Sequence, residues 1–195
     1  MAYTILYIAT SADGFIADKN GGLDWLPQEE IPGEDYGFET LIQSIDAIAQ
    51  GSKTFLQTIS FIESGLVTDL PYGGKPMYVF TRHPLTTTRT DVTFVSDAHE
   101  YITKLQIHPE FKRVWLVGGA ETIRTFKEHN LIDECIITII PTKIYDGIAL
   151  PPHTFDNMKE VSLLQYPSGI QQRIYKAESL VHMKNFSSEA LDGKK

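Results

Sequence analysis

A single cysteine among 195 residues rules out a disulfide within the chain. Cys135 sits in an apolar, β-branched stretch, which suits a buried, inert thiol. Cationic residues are scarce: 17 Lys and Arg face 25 Asp and Glu, a net charge of −8. That balance excludes a general affinity for nucleic acid or an anionic membrane surface. No apolar run approaches the ~20 residues needed to cross a bilayer. The apolar N-terminal stretch is short, lacks a basic lead and meets Asp13-Gly14 at once, so it reads as a strand rather than a signal peptide. A cytoplasmic protein is expected. The six histidines are scattered without ligand spacing, so no metal is assigned. His99-Glu100 is followed by Thr103 where a zincin helix needs histidine. Neither G-x-G-x-x-G nor G-x-S-x-G occurs, and Gly51-Ser52-Lys53-Thr54 lacks the upstream glycine of a phosphate loop.

What is present is a pair of glycine-marked strand ends. Ala47-Ile48-Ala49-Gln50-Gly51-Ser52-Lys53-Thr54 and Val114-Trp115-Leu116-Val117-Gly118-Gly119-Ala120-Glu121 each run apolar, stop at glycine and turn helical. A helix start carries about half a positive charge and unpaired N–H donors, which suits phosphate. Two such starts suit a ligand with more than one phosphate, and a dinucleotide is the natural candidate. Lys53, Lys75, Arg82, His83 and Arg89 are available to oppose the overall negative field.

Strand and helix signals alternate along the chain. Tyr3–Thr10 is nearly all apolar, as in a strand buried on both faces, and Ser11–Gly22 reads as a polar loop. Phe38, Leu41, Ile42 and Ile45 form one helical stripe. Strands are expected at 47–50, 76–81, 93–95, 114–117 and 135–140, and helices at 54–59, 97–105 (with Asp97 and Glu100 as a capping box) and 120–130. A hairpin of 161–166 and 171–177 closes the fold. The pattern predicts one α/β domain over 1–184, with a mostly parallel central sheet, an antiparallel C-terminal edge and helices on both faces. Residues 185–195 are polar and expected to fray.

An ordered series of short strings runs through almost the whole chain. Ser11-Ala12-Asp13-Gly14-Phe15-Ile16-Ala17 is followed by Leu23-Asp24-Trp25, Asp35-Tyr36-Gly37-Phe38 and the Gly51 string. Pro71-Tyr72-Gly73-Gly74-Lys75-Pro76, Val79-Phe80-Thr81-Arg82, the Gly118-Gly119 string and Ile140-Pro141 through Asp146-Gly147 complete it. In this series the chain resembles the dihydrofolate reductase-like superfamily, in particular the branch related to the reductase domain of bacterial riboflavin biosynthesis.

The resemblance implies NADPH held in a cleft between the two strand ends. Gly51, Lys53 and Thr54 would hold phosphates at one helix start, with Ser52 among them where the family usually has a basic residue. Val117, Gly118, Gly119, Ala120 and Glu121 would meet the pyrophosphate at the other. Thr81 and Arg82 would take the adenosine 2′-phosphate, and Ala9 and Ile16 would line the nicotinamide. Asp35 is the preferred functional acid and Glu34 its alternate, with a pKa expected to rise in a half-buried apolar site. The implied activity is hydride transfer to a small heterocycle of the riboflavin type, as in 5-amino-6-(5-phosphoribosylamino)uracil reductase. Dihydrofolate reduction and a non-catalytic NADPH-binding homologue are the alternatives. A homodimer is implied too.

Overall fold

The computed structural model describes residues 2–27, 33–65, 68–70 and 72–180. Pro71 and the tail expected to fray from 185 lie outside them.

An eight-stranded sheet carries the fold. Its strands are β1 (Tyr3–Ser11), β3 (Ala47–Gly51), β4 (Met77–Phe80), β5 (Val92–Val95), β6 (Arg113–Gly118), β7 (Glu134–Ile140), β9 (Met158–Gln165) and β10 (Gln171–Ala177). In space they run β5-β4-β3-β6-β1-β7-β10-β9. All pairs from β5 to β7 are parallel, and β10 joins β7 and β9 antiparallel. This is the α/β architecture that the alternating pattern predicts.

Side chains alternate across the sheet, so neighbours in one strand enter different cores. Leu6, Ala49, Leu116 and Val114 pack with α3 (Ala98–Ile107) and α4 (Ala120–Glu128) through Tyr101, Ile123 and Phe126. Ile5, Ile48 and Trp115 pack on the other side with α1 (Phe38–Ser44) and α2 (Ser52–Glu63) through Leu41 and Phe55. Two helices therefore cover each face, which is why the central strands read as continuous apolar runs.

Three expectations need correction. The helix expected at 54–59 runs from Ser52 to Glu63. Ser60 does not end it, because its hydroxyl bonds back to the Gln57 carbonyl at 2.7 Å. The stretch expected to be a loop from Ser11 to Gly22 contains β2 (Phe15–Asp18), which pairs antiparallel with β8 (Gly147–Ala149) as a separate two-stranded sheet. Finally, the hairpin strand expected from Val161 begins at Met158.

Candidate functional site

Every parallel strand ends on the same edge of the sheet, where ligands of open α/β folds bind. The expected residues from Gly51 to Glu121 gather there. Strand β6 carries a register shift against β3, so that Ala49 faces Leu116 and Gln50 faces Gly118. The extra residue, Val117, brings the two glycine tips side by side, as bulges beside sites often do. Gly118 has φ 123°, a backbone open to glycine, and a Cβ there would press within 3.3 Å of Ile8.

The helix starts touch. The N–H of Gly119 donates to Thr54 Oγ1 at 3.2 Å, tying the start of α4 to that of α2. A Cβ on Gly51 would lie 2.6 Å from Thr122 Oγ1. Both helices begin at glycine N-caps, Gly51 and Gly119, with no side-chain cap. Their first-turn donors are therefore left for a ligand or for water. Ser52 and Ala120 are half-buried in these turns, while Lys53 is exposed and forms no ion pair among the described residues. Glu121 pairs with Arg124 at 2.8 Å on the exposed side of α4.

In strand order the tips lie between two hollows. The first, about 310 Å³, is lined by Thr81–Leu85, Phe94, Val95, Ser96 and Glu100, beyond the ends of β4 and β5. Thr81 and Arg82 lie here, and Phe80 pairs with Gly51 in the neighbouring strand. Thr81 Oγ1 is engaged locally, donating to the His83 carbonyl at 2.7 Å. The second hollow, about 320 Å³, is lined by Trp25, Leu26, Pro27, Ile140, Pro141, Thr142, Ser168 and Ile170. Between β4 and β7 lie four strand spacings, about 19 Å, with the glycine tips of β3 and β6 between them.

Strand β1 opens the second half of this edge. It pairs with β6 only as far as Leu6, but with β7 to Ser11. Half-buried Ala9 sits on the stretch released from β6, and half-buried Ile16 lies in β2 just beyond the turn.

That turn is held by a residue whose role was missed. Asp13 accepts from Ser11 Oγ at 2.7 Å and from the N–H groups of Ile144 and Tyr145 at 3.3 and 2.9 Å. The Ser11 hydroxyl, first among its causes, holds the Asp13 pKa below its ordinary value. Asp13 thus binds the Ser-Ala-Asp-Gly string to the loop before Asp146-Gly147. The sequence held the only available signal, the recurrence of both strings in one series.

The acids behave otherwise than expected. Asp35 is exposed and caps α1, accepting from the N–H groups of Gly37 at 2.9 Å and Glu39 at 3.2 Å. These backbone donors lower its pKa, so the expected rise does not occur. Glu34 is held by the Tyr36 hydroxyl at 2.9 Å and the Ser168 N–H at 3.3 Å. Its pKa is lowered as well, first by hydrogen bonding to the Ser168 side chain. Hydrogen bonds to the charged form outweigh desolvation at both carboxylates. Of the two, Glu34 is the one tied to a residue lining the second hollow.

Tyr36 supports this corner. Its backbone is left-handed, φ 54°, and its carbonyl accepts from Tyr7 Oη at 3.2 Å and Gln172 Nε2 at 2.8 Å. Burial pushes the Tyr7 phenol up to about 12, so it serves as a donor at neutral pH. Among the described residues no group of His, Cys, Asp and Glu is placed to hold a metal, and no helix is long and apolar enough to cross a membrane.

Comparison with known proteins follows the same lines. Residues 2–171 match the RibD C-terminal domain family. Two uncharacterized Bacillus subtilis (strain 168) proteins are relatives. YwjB is 35% identical over 147 residues, 75% of this chain and 81% of YwjB. YyaP is 31% identical over 179 residues, 88% and 93% of the two chains. A solved structure from Shewanella sp. PV-4, named for riboflavin biosynthesis, aligns with a TM-score of 0.75 at 29% identity, covering 90% of this chain and 98% of that one. The Thermotoga maritima diaminohydroxyphosphoribosylaminopyrimidine deaminase/5-amino-6-(5-phosphoribosylamino)uracil reductase shares the fold at a TM-score of 0.64 and 15% identity. This chain covers 56% of that protein's length.

Proposed function

Because this chain belongs to the RibD C-terminal domain family, we propose that it is an NADPH-dependent reductase of a small heterocycle of the riboflavin-pathway type. The observation that carries this reading is the arrangement along the carboxyl edge: two uncapped helix starts between two hollows. An extended dinucleotide would match that order, its adenosine held by the first hollow, its pyrophosphate by the glycine tips and its nicotinamide by Ala9 and Ile16. When bound, NADPH supplies the hydride.

The chain supplies position and charge. The first-turn N–H groups after Gly51 and Gly119 would hold the phosphates, aided by Lys53. Arg82 would hold the 2′-phosphate. Trp25, Ile140, Pro141 and Ile170 exclude water around a flat ring in the second hollow, while Thr142 and Ser168 offer it polar contacts. The acceptor is a carbon–nitrogen or carbonyl double bond. Glu34 stays ionised near neutrality and orients Tyr36 and the Ser168 turn, so the proton reaches the product from solvent. Asp35 serves the helix instead.

A homodimer fits the same reading. Strand β9 is an edge of the sheet, and it exposes Val161, Leu163 and Leu164 at 43–44%. An edge with apolar groups on both faces needs cover.

Two assays test the proposal. Titration with NADPH should quench tryptophan emission with transfer to the nicotinamide. NADPH should then be oxidised with one member of a panel of ribosylaminopyrimidines and dihydropterins. Binding without turnover on any member would favour a non-catalytic homologue, and oxidation with dihydrofolate alone would favour the folate reaction.

A further inference from the structure

The first hollow contains two opposed signals. An arginine beside an adenosine ribose selects the 2′-phosphate of NADP, whereas a carboxylate there accepts from the free 2′-hydroxyl of NAD. This hollow has both: Arg82 and Glu100 line it together. Arg82 is exposed and has no ion-pair partner among the described residues.

Glu100 is fixed where it stands. It occupies the third position of α3, in a capping box begun by Asp97, whose side chain accepts from the Glu100 N–H at 2.9 Å. Its own Oε2 accepts from the Ser96 N–H at 2.7 Å and from Ser96 Oγ at 3.0 Å. Its Oε1 faces Lys104 Nζ at 3.5 Å, an exposed pair of the weak kind. The Ser96 N–H, first among the causes, keeps the Glu100 pKa below its ordinary value, so the group is an anion at neutral pH.

The consequence is a shortage of donors for phosphate. The Ser96 N–H is spent on Glu100, the Ser96 hydroxyl is shared between Glu100 at 3.0 Å and Asp97 at 3.2 Å, and the Thr81 hydroxyl is spent on the His83 carbonyl. Among the side chains Arg82 and the His83 ring remain, in a hollow that also holds a fixed negative charge. At the other contact point the chain has Ser52 rather than a cation. Resting on the placement of adenosine in this hollow, we infer that Glu100 is a specificity-determining residue that holds down discrimination for the 2′-phosphate, so that the protein accepts NADH as well as NADPH.

The test is a set of affinities for NADPH, NADH and 2′,5′-ADP on the full chain at low salt. In the native protein NADPH should bind no more than about tenfold tighter than NADH. Glu100→Gln keeps the capping box, since glutamine fills that position equally well. It should tighten NADPH and 2′,5′-ADP about three- to tenfold, leave NADH unchanged or weaker, and lose that gain at about 0.5 M salt. Lys104→Gln should move NADPH in the opposite direction. An unchanged melting temperature in Glu100→Gln shows that the helix is intact. Equal shifts for both dinucleotides, or none, overturn the inference while the reductase reading stands. Failure of the native protein to bind either dinucleotide overturns both.

Discussion

The backbone N–H of Gly119 donates to the side-chain oxygen of Thr54, 65 residues away, at 3.2 Å. This bond fixes the spacing between the two helix starts on which a pyrophosphate is proposed to rest. Its removal should therefore be felt twice. Thr54→Val keeps the shape but leaves a half-buried N–H without its partner, which costs about 0.5–1.5 kcal/mol. A melting curve should show a modest loss, and NADPH affinity should fall more than that loss alone explains.

Steric closeness supplies a second prediction. A Cβ at Gly51 would stand 2.6 Å from Thr122 Oγ1, on a stiff β-branched side chain. Gly51→Ala should destabilise by about 1–3 kcal/mol. Adding Thr122→Ala should recover much of it, a non-additive pair readable in denaturant melts. Gly147→Ala should be worse, because its Cβ would overlap the Ala17 carbonyl oxygen and part β8 from β2.

The carboxylates predict opposite outcomes for rate and stability. Asp35→Ala should cost on the order of 1 kcal/mol through loss of a cap and leave turnover nearly unchanged. Glu34→Gln should lower turnover with little change in melting temperature.

Acid titration of stability tests the lowered pKa values. Asp13, Asp35, Asp97 and Glu100 all have folded pKa values below their ordinary ones, set by hydrogen bonds to the charged form. Such groups bind fewer protons folded than unfolded, so their contribution is complete above the unfolded carboxylate pKa near 4. It is lost as pH falls from there through the folded values. Melting temperature should be flat with respect to these groups from pH 6 to 5 and drop below pH 4. Asp13→Asn should reduce the size of that drop.

Much of the fold was legible because the central strands are covered on both faces. Ile5 and Leu6 enter different cores, so no polar alternation interrupts the apolar run. The short strands β2 and β8 were not legible. Phe15–Asp18 and Gly147–Ala149 owe their pairing to Asp13, which anchors one loop to another across 131 residues. The glycine tips could be read as helix starts, but not as neighbours, since their contact depends on the bulge at Val117 and on Thr54. The lowered pKa of Asp35 was not legible for a related reason. An aspartate two residues before a glycine that starts a helix satisfies backbone donors first, and Gly37 at φ 81° places its N–H within reach.

A phosphorylated dinucleotide bound along the edge from Arg82 to Ala9 would shield the backbone there. Amide hydrogen exchange with and without NADPH measures this directly. Exchange should slow at Ser52–Thr54, Thr81–His83 and Gly119–Glu121, with the rest of the sheet little changed. Slowing confined to other segments, or none at saturating NADPH, would contradict it.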